Sequence, residues 1–109
     1  MRVIVYSVLL CLLVVSTNPQ AAGILIPKQT LAKIKSQAAQ DHPDDYAVQE
    51  YVIKTQTQAY YEVKNYKSKK VPKKVLNKIK KKAAQDFPND YSVQIYIIKQ
   101  QVQSYLNIN

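Results

Sequence analysis

The sequence predicts an all-α protein: two tandem helical-hairpin repeats packing as a small four-helix bundle after an N-terminal signal peptide. Three observations predict it. The chain of 109 residues opens on an apolar run, "VIVYSVLLCLLVV". The stretch "AAQDHPDDYAVQEY" from Ala38 returns 45 residues later as "AAQDFPNDYSVQIY" from Ala83. Within both copies apolar side chains recur at steps of three and four, with no glycine after Gly23 to interrupt them.

The first element, residues 1–23, has the layout of a signal peptide. Arg2 supplies a positive start, Val3 to Val15 is a 13-residue apolar run, and the small residues Ala21, Ala22 and Gly23 follow. A run of that length is too short for an ordinary membrane span. Cleavage is expected after Ala22 or Gly23, which makes the protein secreted or periplasmic. Cys11, the sole cysteine, lies inside this segment. The mature chain therefore has no thiol, no disulfide and no cysteine ligand, and apolar packing must stabilise it.

The second and fourth elements are the repeats, 27–64 and 72–109. Aligned without a gap, they are identical at 21 of 38 positions. In each, a first helix carries Leu31, Ile34 and Ala38, or Leu76, Ile79 and Ala83, on one face. Pro27 and Pro72 suit its first turn, where a missing N–H costs nothing. The segments "DHPDDY" and "DFPNDY" break the helix, because proline disfavours helical geometry in the residue before it. Pro43 with Asp44 and Asp45, and Pro88 with Asn89 and Asp90, are expected in the opening turn of a second helix, where carboxylates match the dipole. The spacings predict helices of about 12 and about 20 residues per repeat. A hairpin this short rarely folds alone. The duplication thus predicts two hairpins packed face to face about a pseudo-twofold axis, sharing one core. A domain-swapped or antiparallel dimer is the second arrangement, with the basic segment 65–71 as hinge or as an extension of the helix before it.

Four groups of residues bear on function. Tyr46, Gln49, Gln56 and Tyr60, with their copies Tyr91, Gln94, Gln101 and Tyr105, form a stripe of phenols and amides on an apolar seam. A buried amide must be hydrogen-bonded, so the stripe is expected to fix helix register through a Tyr–Gln network. The alternative is a polar–aromatic groove for a sugar or peptide. The second group is basic: ten of the 19 residues from Lys64 to Lys82 are lysine, and none is acidic. Lys67, Lys69, Lys70, Lys73, Lys74, Lys78, Lys81 and Lys82 are the candidate anion-binding residues. The first repeat has Gln29, Ser36 and Gln37 where the second has Lys74, Lys81 and Lys82, so the charge is concentrated rather than uniform.

The third group is Ile95, Val102 and Leu106, which replace Glu50, Thr57 and Tyr61 of the first copy. Steps of seven and four place them on one helix face, either deeper in the bundle or as a patch for a protein partner or homodimer. The fourth is acidic. Asp41, Asp44, Asp45, Asp86 and Asp90 suit capping, and no glycine-turn calcium loop or two-histidine metal motif accompanies them. With no nucleophile–base spacing and no phosphate-cradling glycine loop, no catalytic residue, metal or cofactor is expected, and the chain reads as non-enzymatic. Its formal charge of +9 favours anionic partners. Arginine is absent after Arg2, which argues against sequence-specific nucleic-acid binding. An anionic membrane surface or acidic polymer fits an exported chain better.

Overall fold

The computed structural model describes residues 25–109; the signal-peptide reading of 1–23 lies outside the described residues. Four helices and no strand occur among them: α1 (Lys28–Asp41), α2 (Tyr46–Asn65), α3 (Lys73–Asp86) and α4 (Tyr91–Ile108). The architecture is all-helical and consistent with a small four-helix bundle. Three helix pairs pack: α1 on α2, α3 on α4, and α2 on α4. The long helices are thus central and the short ones flank them.

Pro27 and Pro72 stand one residue before α1 and α3, in extended geometry. Their carbonyls accept the N–H groups of Leu31 and Leu76 at 3.0 Å. Each hairpin then reverses over four residues, 42–45 and 87–90, in nearly the same conformation. Asp44 and Asn89 adopt left-handed geometry, with φ of 63° and 68°. Short polar residues tolerate that region best when glycine is absent. This reversal corrects the expectation for Pro43 and Pro88. They sit in the turn, not in the opening helical turn, because a left-handed residue after each one interrupts the helix. Asp45 and Asp90 are the caps, and their carboxylates accept the N–H of Val48 at 3.2 Å and of Val93 at 3.3 Å. Gln49 and Gln94 close the same turns by donating to the carbonyls of His42 at 2.8 Å and Phe87 at 2.7 Å. Gln94 is only 3% exposed, so this bond satisfies an amide that burial would otherwise penalise.

The two hairpins do not meet about a pseudo-twofold axis. Gln56, in the middle of α2, reaches the start of α4. Its Oε1 accepts the N–H groups of Tyr91 at 2.8 Å and Ser92 at 3.3 Å, and its Nε2 donates to the Asp90 carboxylate at 3.0 Å. Tyr60, one turn further on, packs edge-to-face on Tyr91 with ring centroids 5.1 Å apart. A twofold axis would bring Gln101 to Tyr46 in the same way, yet Gln101 is exposed and Tyr46 is 71% exposed.

Chain connectivity explains the asymmetry. The linker of residues 66–72 spans at most about 23 Å when extended. It can join the end of α2 to the start of α3, beside the end of α4, only if α2 and α4 run in the same direction. Residue 56 then stands beside residue 91, the copy of residue 46, so the hairpins are offset by ten residues, about 15 Å of helix.

The core follows the offset. Ala59 and Val63 of α2, Val71 of the linker, Leu76 and Ala83 of α3, and Ile95, Ile98 and Val102 of α4 form one buried cluster. From α1, Ile34 and Ala38 are buried outside that cluster, so the core is weighted toward the second hairpin. Tyr91 lies partly within it. Burial first, and the neighbouring Tyr60 second, raise its pKa above 10.0, while a hydrogen bond from Thr30 of α1 opposes the rise.

The offset predicts unequal effects for equivalent glutamines. Gln56→Ala should cost about 1–3 kcal/mol by leaving helix-terminal N–H groups unpaired, whereas Gln101→Ala should stay within about 0.5 kcal/mol. Ile98, with no exposed surface, should cost about 2–5 kcal/mol on change to Ala. Urea unfolding of dilute protein measures all three, and equal losses at Gln56 and Gln101 would contradict the offset.

Candidate anion-binding site

The linker between the hairpins is pinned at both ends by apolar side chains. Tyr66 packs on the core, and its N–H reaches the Val63 carbonyl at 3.4 Å. Val71 is buried just before Pro72, whose ring fixes the approach to α3. Residue 65 ends α2, so the segment after it is a linker and not a helix extension. Between the two anchors Lys67, Lys69 and Lys70 are held outward and exposed, with Ser68 half-buried.

This course brings the end of α2 and the first two turns of α3 around a depression of about 510 Å³. Its floor is Val71 and Leu76. Lys64 enters from α2, Lys67 and Lys69 from the linker, and Lys73 and Lys80 from α3, with Ser68 and Asn77 between them. No carboxylate lines it. The Lys64 ammonium sits 5.3 Å from the centroid of the Tyr60 ring, a cation–π contact that orients it. Lys80 shows the electrostatic consequence of the crowding: burial of its stem, then the charges of Lys64 and Lys67, lower its pKa below 10.5. Ammonium groups, a hydroxyl and an amide around an open depression suit a phosphate, sulfate or carboxylate.

The candidate lysines from the sequence divide into three sets. Lys67, Lys69 and Lys73 line this depression. Lys70, Lys74 and Lys81 are exposed elsewhere on the linker and α3. Lys78 and Lys82 line a separate groove between α3 and α4, where Lys82 pairs with Asp86 at 3.1 Å. Lys64 and Lys80 were not among the candidates. Both belong to the same lysine-rich run, but only the path of the linker brings them together, and a single-helix projection does not contain that path.

The other candidates lie elsewhere. Ile95 and Val102 are 7% and 4% exposed and Leu106 is half-buried, so this stripe belongs to the core and offers no exposed patch. Helix α4 lies between α2 and α3, which cover that face. Tyr46, Gln49, Gln56, Tyr60, Tyr91, Gln94, Gln101 and Tyr105 do not line one groove. Gln49 and Gln94 serve the turns, Gln56, Tyr60 and Tyr91 join the hairpins, and Tyr46 and Gln101 are exposed. No group of three or more metal-ligating side chains gathers among the described residues, and no helix there is long and apolar enough to cross a membrane.

No protein-family model, no curated protein and no solved structure matches this chain.

The crowding at Lys80 has a pH signature. A lysine whose pKa is lowered by folding disfavours the folded state while charged, so stability should rise as pH climbs through its folded pKa toward 10.5. Lys80→Gln should remove that slope and add about 0.2–1 kcal/mol at neutral pH, the range of exposed charge interactions. Sulfate or pyrophosphate should raise the Tm of the parent more than that of the variant. Thermal melts across pH 7 to 10.5 check each point.

Proposed function

We propose that this is an exported, non-enzymatic protein, built from two copies of one helical hairpin, that binds an anionic membrane surface or acidic polymer through clustered lysine charge. The observation that carries the reading is the convergence of Lys64, Lys67, Lys69, Lys73 and Lys80 on one depression without a carboxylate. Charge serving solubility alone would be spread out or interleaved with acids, since like charges held together oppose folding. A bound polyanion reverses that opposition and draws the lysine charges into favourable contacts. Export rests on the opening segment of the sequence. It selects lipid headgroups and surface polymers over nucleic acid as the anion.

Recognition in this reading is by charge density, not by shape. The site holds no arginine, so no planar fork is available for bidentate recognition. Lysine ammonium groups act as point charges and suit a ligand with many equivalent anions.

Co-sedimentation of the purified chain with anionic and neutral vesicles, at low and near-physiological salt, tests the proposal. Binding should be confined to anionic vesicles and weaken with salt. Lysines near an anionic surface contribute about 1 kcal/mol each. Changing Lys64, Lys67, Lys69 and Lys80 to Gln should therefore lower partitioning by about a hundredfold or more. The same change at Lys74, Lys78, Lys81 and Lys82 should have a smaller effect. Equal binding to neutral vesicles would overturn recognition by charge. Unchanged binding of the first variant to anionic vesicles would refute the site.

A further inference from the structure

A turn and a groove each occur twice in this chain, but only one turn and one groove engage each other. In the engaged pair, Ile34, Gln37, Asp41, Val52 and Gln56 of α1 and α2 border one pocket with the turn Pro88–Asn89–Asp90 of the second hairpin, held there by the bond from Gln56 to Asp90 while Pro88 and Asn89 keep an exposed edge. Shifting those five positions by the 45-residue period gives Ile79, Lys82, Asp86, Ile97 and Gln101. All five line one groove of about 400 Å³ between α3 and α4, whose walls come from these two helices alone. At the opposite end of the molecule, the turn Pro43–Asp44–Asp45 is exposed. It already has the docked conformation: Asp45 N–H meets the His42 carbonyl at 3.2 Å, as Asp90 N–H meets that of Phe87 at 3.2 Å.

We infer that copies of this chain associate head to tail, the turn Pro43–Asp45 of one copy seating in the α3–α4 groove of the next. Gln101 then clamps the N–H groups of Tyr46 and Ala47 as Gln56 clamps those of Tyr91 and Ser92. Tyr46 leaves solvent to pack on Tyr105, the copy of Tyr60. A second copy is the occupant because the molecule already contains this contact once, between its own halves.

Charge favours the same occupant. In the engaged pair, Gln37 and Asn89 share the pocket, and both are neutral. In the free pair the equivalent residues are Lys82 and Asp44, of opposite sign. Lys78 adds a second cation to the groove, and Asp86 is its one carboxylate, already paired with Lys82. Two acids on the turn, Asp44 and Asp45, thus face two lysines and one acid. The apolar part is weaker than inside the chain, because Glu50 stands where Ile95 does and Ser104 where Ala59 does. The association is therefore reversible and sensitive to salt. It is also heterologous: each copy keeps one free turn and one free groove, so growth continues into rings or open chains and does not stop at a twofold dimer.

Sedimentation velocity of the purified chain over a concentration series tests this, with thermal melts of dilute samples showing that each variant folds. Mean size should rise with concentration and fall with salt. Gln101→Ala should weaken association about tenfold, the effect of one lost clamp. Lys82→Glu and Asp44→Lys should each weaken it further. Mixed in equal amounts, these two charge variants should recover the association that each has lost, because the intact groove of one fits the intact turn of the other and the charges reversed at positions 44 and 82 are again opposite. A monomer at every concentration, which would leave the groove to another protein, overturns the inference. So does a dimer or aggregate that these substitutions do not change.

Discussion

The first N–H groups of α4 must be bonded before the second hairpin can bury its face against the first. A helix start leaves four donors without intrahelical partners, and burying them unpaired is costly. Here the Asp90 N–H meets the Phe87 carbonyl, the Asp90 carboxylate accepts from Val93, and Gln56 supplies one oxygen to both Tyr91 and Ser92. All four donors are thus satisfied, two of them by a residue 35 positions earlier in the chain. That bond sets the register between hairpins more tightly than apolar packing could, because leucine and isoleucine faces tolerate sliding while a bifurcated amide does not. The stacking of Tyr60 on Tyr91 and the burial of Ala59 near Ile95 fall in place once Gln56 is seated.

A register fixed in this way is directional. Gln56 can clamp only a helix that starts beside it, so equivalent residues of the two copies meet different surroundings. The second copy has lost polar groups where it is covered: Glu50, Thr57 and Tyr61 give way to Ile95, Val102 and Leu106. In the first copy Glu50 is exposed and Thr57 and Tyr61 are only partly covered. Stacked repeats behave similarly, burying a continuous core between neighbours and keeping polar residues at the ends.

Much of this was legible in the sequence. The helices, their order and the hairpin turns follow from the duplication, the three–four periodicity and the proline positions, because those signals are local. The Tyr–Gln stripe was legible only in part: Gln49, Gln56 and Gln94 are bonded, as amides on an apolar seam must be, but to turn carbonyls, helix-start N–H groups and Asp90 and not to the tyrosine hydroxyls. The relation between the hairpins was not legible. Face-to-face twofold packing and offset parallel stacking draw on the same helix faces and differ in which copy is covered at Tyr46 and Gln101, and only the short linker, together with the reach of Gln56, decides between them. The candidate site was half legible for a related reason. Lys67, Lys69 and Lys73 belong to an obvious basic run, but Lys80 follows Ile79 on a helix that reads as core-facing there. Its place at the depression depends on Tyr66 and Val71 folding the linker back. The αL turn at Asp44 and Asn89 was missed because Pro with acidic residues is also the signature of a helix start.

The placement of that linker links stability to binding. Burial of Tyr66 and Val71 draws Lys64, Lys67 and Lys80 together, and the lowered pKa of Lys80 is the mark of the resulting repulsion. A single acid at Asn77, which faces the same depression, would relieve it locally. The chain instead places asparagine there, and its acids cap helices or lie along other faces. Folding therefore holds a cluster of cations closer than they would otherwise stand, opposed by the apolar anchors at either end. On the proposed reading, an anion that enters the depression would relieve the repulsion among Lys64, Lys67 and Lys80 that the fold itself creates.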